Sequence, residues 1–183
     1  MTERYDDALR YAHELHRDQT RKDRSTPYIA HLLAVSALVI EAGGTEDQAI
    51  AALLHDAAED QGGEATLGAI RRRFGPAVAA MVADCSDTLE DPKPDWWPRK
   101  RAYIDSLAGK QEASLLVSLA DKTHNAESIR MDRDRVGETV WDRFAVGRDG
   151  TRWYYRQLAD FFARRLPGPL SVRLTRAVRA IGA

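Results

Sequence analysis

The chain has 183 residues, 44% apolar and 30% charged, a balance that suits one soluble domain with a sizeable core. Its 27 basic and 28 acidic residues give a net charge of −1, so no basic excess speaks for a nucleic-acid partner, while a small phosphorylated ligand met by a few Arg and Lys side chains is allowed. The lone Cys85 excludes an internal disulfide and a cysteine-based zinc cluster; with no membrane span or apolar signal segment, a cytoplasmic placement is expected.

Apolar residues recur at spacings of three and four, and period-2 alternation is absent, so the expected fold is all-α. Tyr5, Ala8, Leu9, Ala12 and Leu15 share one face of a first helix that ends near His16. Arg17 to Ser25 is a polar loop, and Thr26-Pro27 reads as an N-cap and first helical position for a helix from Tyr28 to Ala42. Gly43-Gly44 ends it. Thr45 caps the next helix, Gln48 completes a capping box, and the pattern continues to about Asp60 before Gln61-Gly62-Gly63 breaks it. A short helix opens at Thr66 and closes at Gly75, and Pro76 starts another carrying Val78, Met81, Val82 and Cys85. Asp87 to Pro98, with three prolines, is the main loop of the middle. Helices are predicted at about Trp97–Leu107, Glu112–Met131, Glu138–Ala145, Thr151–Leu166 and Ser171–Ile181. With no linker or repeat, one helical bundle of about eight to ten helices over residues 1–183 is expected.

The chemistry concentrates in His55-Asp56-Ala57-Ala58-Glu59-Asp60. Helical spacing puts His55 and Glu59 on one edge and Asp56 and Asp60 on the next. The preceding Ala49-Ile50-Ala51-Ala52-Leu53-Leu54 is apolar all round, so the polar groups extend a buried helix and need compensation. A divalent cation provides it, and imidazole with carboxylate suits Mn²⁺, Fe²⁺ or Zn²⁺. Further donors in apolar contexts are His31, in Tyr-Ile-Ala-His-Leu-Leu, His124, and Asp121, which ends Leu-Leu-Val-Ser-Leu-Ala. Each has a plainer alternative: His31 as a satisfied core residue, the His-Asp pair as an exposed helix end, Asp121 as the partner of an arginine. Residue types and spacing stop at a His/Asp metal site.

Three segments, Arg21-Lys22 … Pro27-Tyr28-Ile29-Ala30-His31, His55-Asp56-Ala57-Ala58-Glu59-Asp60 and Leu119-Ala120-Asp121-Lys122-Thr123-His124-Asn125, resemble the HD-domain superfamily. Within it they are similar to the RelA/SpoT-type guanosine tetraphosphate hydrolases, in particular small hydrolase-only members. The motif-bearing part runs from about 5 to 130, with helices from about 136 to 183 packed after it. The resemblance implies Mn²⁺ held by His31, His55, Asp56 and Asp121, with Glu59 and Asp60 orienting and activating water. It implies nucleotide contacts by Arg21 and Lys22, and by Asn125 and Ser128 in the nucleoside pocket. The implied reaction releases pyrophosphate from the 3′ position of a guanosine polyphosphate, with no synthetase activity expected.

There are departures from the pattern. Asp23-Arg24-Ser25-Thr26 replaces a Gly-containing turn, and Glu127 stands where family members often have Arg, which puts negative charge near an expected polyphosphate. Trp96, Trp97, Arg99, Lys100 and Arg101 could bind phosphate or stack on a base, or simply form a solvated helix start over packed tryptophans. Rival functions are an HD phosphohydrolase of another phosphorylated metabolite, such as a nicotinamide or deoxynucleotide, and a non-catalytic nucleotide-sensing module. Trp141, Trp153, Tyr154 and Tyr155 read as core or dimer-face aromatics. His16, beside the basic loop, is placed to make a supporting hydrogen bond, and the oligomeric state is not legible.

Overall fold

The computed structural model describes residues 1–21, 26–90 and 92–182. Its described residues form ten α-helices and no strand: α1 Glu3–Leu15, α2 Ile29–Glu41, α3 Glu46–Leu54, α4 Ala57–Asp60, α5 Gly63–Phe74, α6 Pro76–Cys85, α7 Trp96–Ser106, α8 Glu112–Val136, α9 Gly147–Arg165 and α10 Pro169–Gly182. An isolated antiparallel bridge joins Thr20 to Pro27. No described helix is long and apolar enough to cross a membrane. Contacts divide the chain into two compact units, Met1–Ser118 and Leu119–Ala183, with the boundary inside α8.

The first unit is organised around α3. Thr45 accepts from the Gln48 amide while the Gln48 side chain reaches back to the Thr45 amide, the reciprocal cap expected from the sequence. Every residue from Ala49 to Leu54 is fully buried, because α1, α2 and α6 pack around this helix. Each large apolar side chain so enclosed contributes roughly 1.5–3 kcal/mol relative to exposure. Pro76 sits at the first turn of α6, where its missing N–H costs nothing.

The structure corrects several element boundaries. Thr26-Pro27 does not cap α2; Tyr28 occupies that position, and the flanking chain is tied instead by Tyr28 N–H to Gln19 O, 2.9 Å, and Arg21 N–H to Thr26 O, 3.0 Å. The helix predicted through Asp60 breaks at His55-Asp56. α5 begins at Gly63 rather than Thr66, because Gly62 and Gly63 both take positive φ, +112° and +59°, and turn the chain sharply. Where an α-helix is expected at about Glu138–Ala145, the chain winds as a 3₁₀ segment over Gly137–Arg143.

In the second unit α9 packs on α10. Trp141, Tyr154 and Tyr155 are buried, so these aromatics serve packing as their helical spacing suggested.

Candidate metal centre

His31 lies in the first turn of α2 and is 1% exposed, enclosed by the apolar residues that surround it in sequence. His55 ends α3, is likewise 1% exposed, and places its Nδ1 2.8 Å from the carbonyl oxygen of Ala52. That carbonyl is the one a continuing helix would offer to the amide of Asp56, so the imidazole competes with the backbone where the helix breaks. Asp56 then precedes α4, whose single turn carries Glu59 and Asp60.

The break brings three donors together. His31 Nε2 and His55 Nε2 lie 3.6 and 3.1 Å from Asp56 Oδ2, and one ligand atom from each residue falls within 4.8 Å of the others. The two imidazole rings meet edge to face at 5.1 Å. With His55 Nδ1–H donating to Ala52, the neutral form of the ring turns the lone pair of its Nε2 toward the carboxylate. A lone pair facing a carboxylate oxygen at this range is the arrangement a cation relieves. The donor set, two nitrogens and an oxygen, fits a divalent transition ion.

Tyr28 donates its hydroxyl to the same Oδ2 of Asp56 at 2.6 Å and meets His31 edge to face at 5.5 Å. Burial first, and then the charge of Asp56, push the phenol well above its ordinary range, so it stays a donor. His16 stacks on Tyr28 at 5.2 Å, and its Nδ1 donates to Gln19 Oε1 at 2.6 Å, the supporting bond expected beside the basic loop. Burial lowers the pKa of His16, favouring its neutral form.

The acidic pair is held differently. Glu59 Oε1 and Asp60 Oδ1 accept from one ammonium, Lys93 Nζ, at 2.8 and 2.9 Å. Glu59 Oε2 accepts from the amide of Asp87 at 3.2 Å, and Asp60 Oδ2 from Gln19 Nε2 at 3.0 Å. Burial, followed by the charges of Asp87 and Asp56, raises the pKa of Glu59, the direction that suits a proton-handling carboxylate. Burial opposes charge on Asp87 too, but Lys100 and Arg99 outweigh it and hold that carboxyl at about 2.

Arg21 lies over the Tyr28 ring at 5.8 Å; Lys22 falls outside the described residues, as does the Asp23–Ser25 departure. Asp121 belongs to the second unit, on α8, 4% exposed. Its Oδ2 accepts from Lys122 at 2.6 Å and its Oδ1 from Asn125 Nδ2 at 2.5 Å. Asn125 therefore steadies an acid one helical turn away, and Ser128, half-buried, follows on the same helix. Glu127 accepts a bidentate pair from Arg173 of α10 at 3.0 and 2.9 Å, so its negative charge is offset within the unit. The predicted basic cluster divides: Arg99 and Lys100 hold Asp87, while Arg101 lies 5.5 Å from the Trp97 ring.

Three contributors escape a reading of the sequence. Tyr28 sat in plain view within Pro-Tyr-Ile-Ala-His, but nothing local says that its hydroxyl reaches a residue 28 positions away. Gln19 and Lys93 carry no motif, and their bonds span 41 positions for Gln19 and 33 and 34 for Lys93.

Comparison with known proteins accords with this geometry. The family model described as HD domain matches residues 8–152. The guanosine-3′,5′-bis(diphosphate) 3′-pyrophosphohydrolase MESH1 of Xenopus tropicalis is 36% identical over 127 residues, 68% of each chain. MESH1 of Mus musculus is 34% identical over 143 residues, 76% of this chain and 75% of its own. A solved structure described as a metazoan ortholog of SpoT that hydrolyzes ppGpp superimposes with a TM-score of 0.80 at 28% identity, covering 100% of this chain and 97% of that one. With the His31, His55 and Asp56 cluster inside the matched segment, the chain belongs to the HD domain family.

Proposed function

We propose that this chain is a metal-dependent pyrophosphohydrolase that cleaves guanosine 3′,5′-bis(diphosphate) to GDP and pyrophosphate. The observation that carries the reading is the convergence of His31, His55 and Asp56 on one point, with Glu59 and Asp60 one turn further along. The names borne by the MESH1 relatives support the choice of nucleotide.

His31, His55 and Asp56 would hold the ion, Asp121 is the further ligand that the family resemblance implies, and Mn²⁺ is the ion we propose. The chemistry such a cation supplies is Lewis acidity, which acidifies water and offsets charge on phosphoryl oxygens. Tyr28 fixes the orientation of Asp56. Glu59 and Asp60 orient the attacking water, and Glu59, with its raised pKa, takes its proton. Arg21, together with Lys22, meets the nucleotide, and Asn125 and Ser128 line the nucleoside pocket. The single cysteine agrees with action in a reducing, cytoplasmic compartment.

The test is turnover of a nucleotide panel with added Mn²⁺, run beside metal analysis. Guanosine tetraphosphate should be cleaved to GDP and pyrophosphate, and Glu59→Gln should lower kcat by about 10²–10⁴-fold while metal content persists. Cleavage of a nicotinamide or deoxynucleotide with the tetraphosphate inert would overturn the substrate assignment. Undiminished turnover by Glu59→Gln would overturn the catalytic one.

A further inference from the structure

The segment between α6 and α7 contains Asp91-Pro92-Lys93-Pro94-Asp95, a lysine bracketed by prolines. Pro94 restricts the backbone of the residue before it to extended conformations, and Pro92 fixes its own φ. Lys93 is thus presented from stiff backbone, which lowers the entropic cost of holding its long side chain in one place.

The segment is also tied down. Asp87, near its start, is ion-paired by Arg99 at 2.6 Å and by Lys100, and gives its amide to Glu59. The carbonyl of Leu89 passes so close to Gly63 that a Cβ there would stand 3.3 Å from it. The loop therefore lies against the corner between α4 and α5, and its lysine bridges two carboxylates on adjacent residues of α4.

An exposed ion pair on mobile side chains contributes little, about 0–1 kcal/mol. This contact differs in its surroundings. Glu59 faces the negative charges of Asp56 and Asp87, with Arg99 at 4.0 Å and Lys93 at 2.8 Å; Asp60 faces Lys93 and Gln19, with His16 nearby. Arg99 is committed chiefly to both oxygens of Asp87. Two neighbouring carboxylates in a field of like charge repel each other and splay, and one cation bonded to both prevents it.

We propose that Lys93 is a positioning residue that clasps Glu59 and Asp60 together, holding the two carboxylates aligned for the water-activating step. The role rests on the catalytic assignment of that pair made above. The bonds of Lys93 to Glu59 and Asp60 outweigh the burial that opposes its charge, and they keep the ammonium above the usual lysine range, so the clasp remains charged wherever the enzyme would work.

The experiment compares the parent chain, Lys93→Met and Lys93→Arg in hydrolysis of guanosine tetraphosphate with Mn²⁺, reading kcat and KM along the acid limb of the pH profile. Lys93→Met should lower kcat about tenfold with KM within about twofold, the scale of losing a group that orients others at a metal centre. Its acid limb should move up by about one pH unit, since an opposite charge at this range favours the carboxylate. Lys93→Arg, which keeps the charge and can still span both acids, should restore most of kcat and return the limb. A rise in KM at unchanged kcat would make Lys93 a phosphate contact and overturn the proposal, as would an unmoved acid limb or failure of arginine to rescue. If turnover depends on Glu59 while Lys93→Met matches the parent, the clasp alone falls. If turnover survives Glu59→Gln, the catalytic assignment falls and the clasp with it.

Discussion

Leu53 and Leu54 are wholly buried and deliver His55 and Asp56 from a helix enclosed on every side, whereas Glu59 and Asp60, one turn later, meet Gln19, Asp87 and Lys93 at a partly open margin. The three donors owe their places to neighbouring backbone: a helix start for His31, and a helix break with an Ala52 carbonyl for His55. The acids owe theirs to side chains and amides far away in sequence. Ligation and proton handling therefore rest on separate supports, and a substitution that disturbs one should leave the other largely intact.

The strongest way to break this contrast is His55→Ala. It removes a buried donor and the bond to Ala52 together, so metal content and turnover should both be lost while Lys93 keeps its acids; elemental analysis beside an activity assay checks it. Retained metal at parental stoichiometry would show that the three donors are not the site.

Tyr28→Phe is milder. It deletes the hydroxyl on Asp56 Oδ2 without changing ring shape, so metal affinity or activity should fall about 10–100-fold, read by competition with a chelator. Glu59→Gln, in contrast, should leave that affinity unchanged.

The smallest effect concerns the margin and acidity. The carboxyl of Asp87 is depressed to about 2 from an ordinary 3.8, so its contribution to stability is complete above 3.8 and is lost as pH falls through about 2. Asp87→Asn should lower the urea midpoint near neutrality, and the gap from the parent should close across that acid window. A gap that persisted below it would mean that Asp87 acts through packing rather than charge.

The sequence revealed what local chemistry decides. Thr45 with Gln48 announced the start of α3, Pro76 that of α6, and the apolar run at 49–54 the buried helix behind the site. The break at His55-Asp56 was hidden because apolar periodicity continues through Ala57 and Ala58, while the competing donor is a side chain. The sign of Glu127 suggested a poor neighbour for polyphosphate, and only the fold supplies Arg173 from 46 positions away to offset it. Lys93 likewise has no signature, since proline-flanked lysines in loops are ordinary until something acidic is found beneath them.

The corner at Gly62-Gly63 constrains how this molecule could be re-engineered. Both residues sit in left-handed backbone, a Cβ on Gly62 would come within 2.9 Å of Thr66 Oγ1, and one on Gly63 would press the Leu89 carbonyl. Randomised libraries spanning these two codons should return almost nothing but the parent dipeptide. New selectivity would have to come from lengthening or trimming the strap that crosses the corner, leaving its hinge pin untouched.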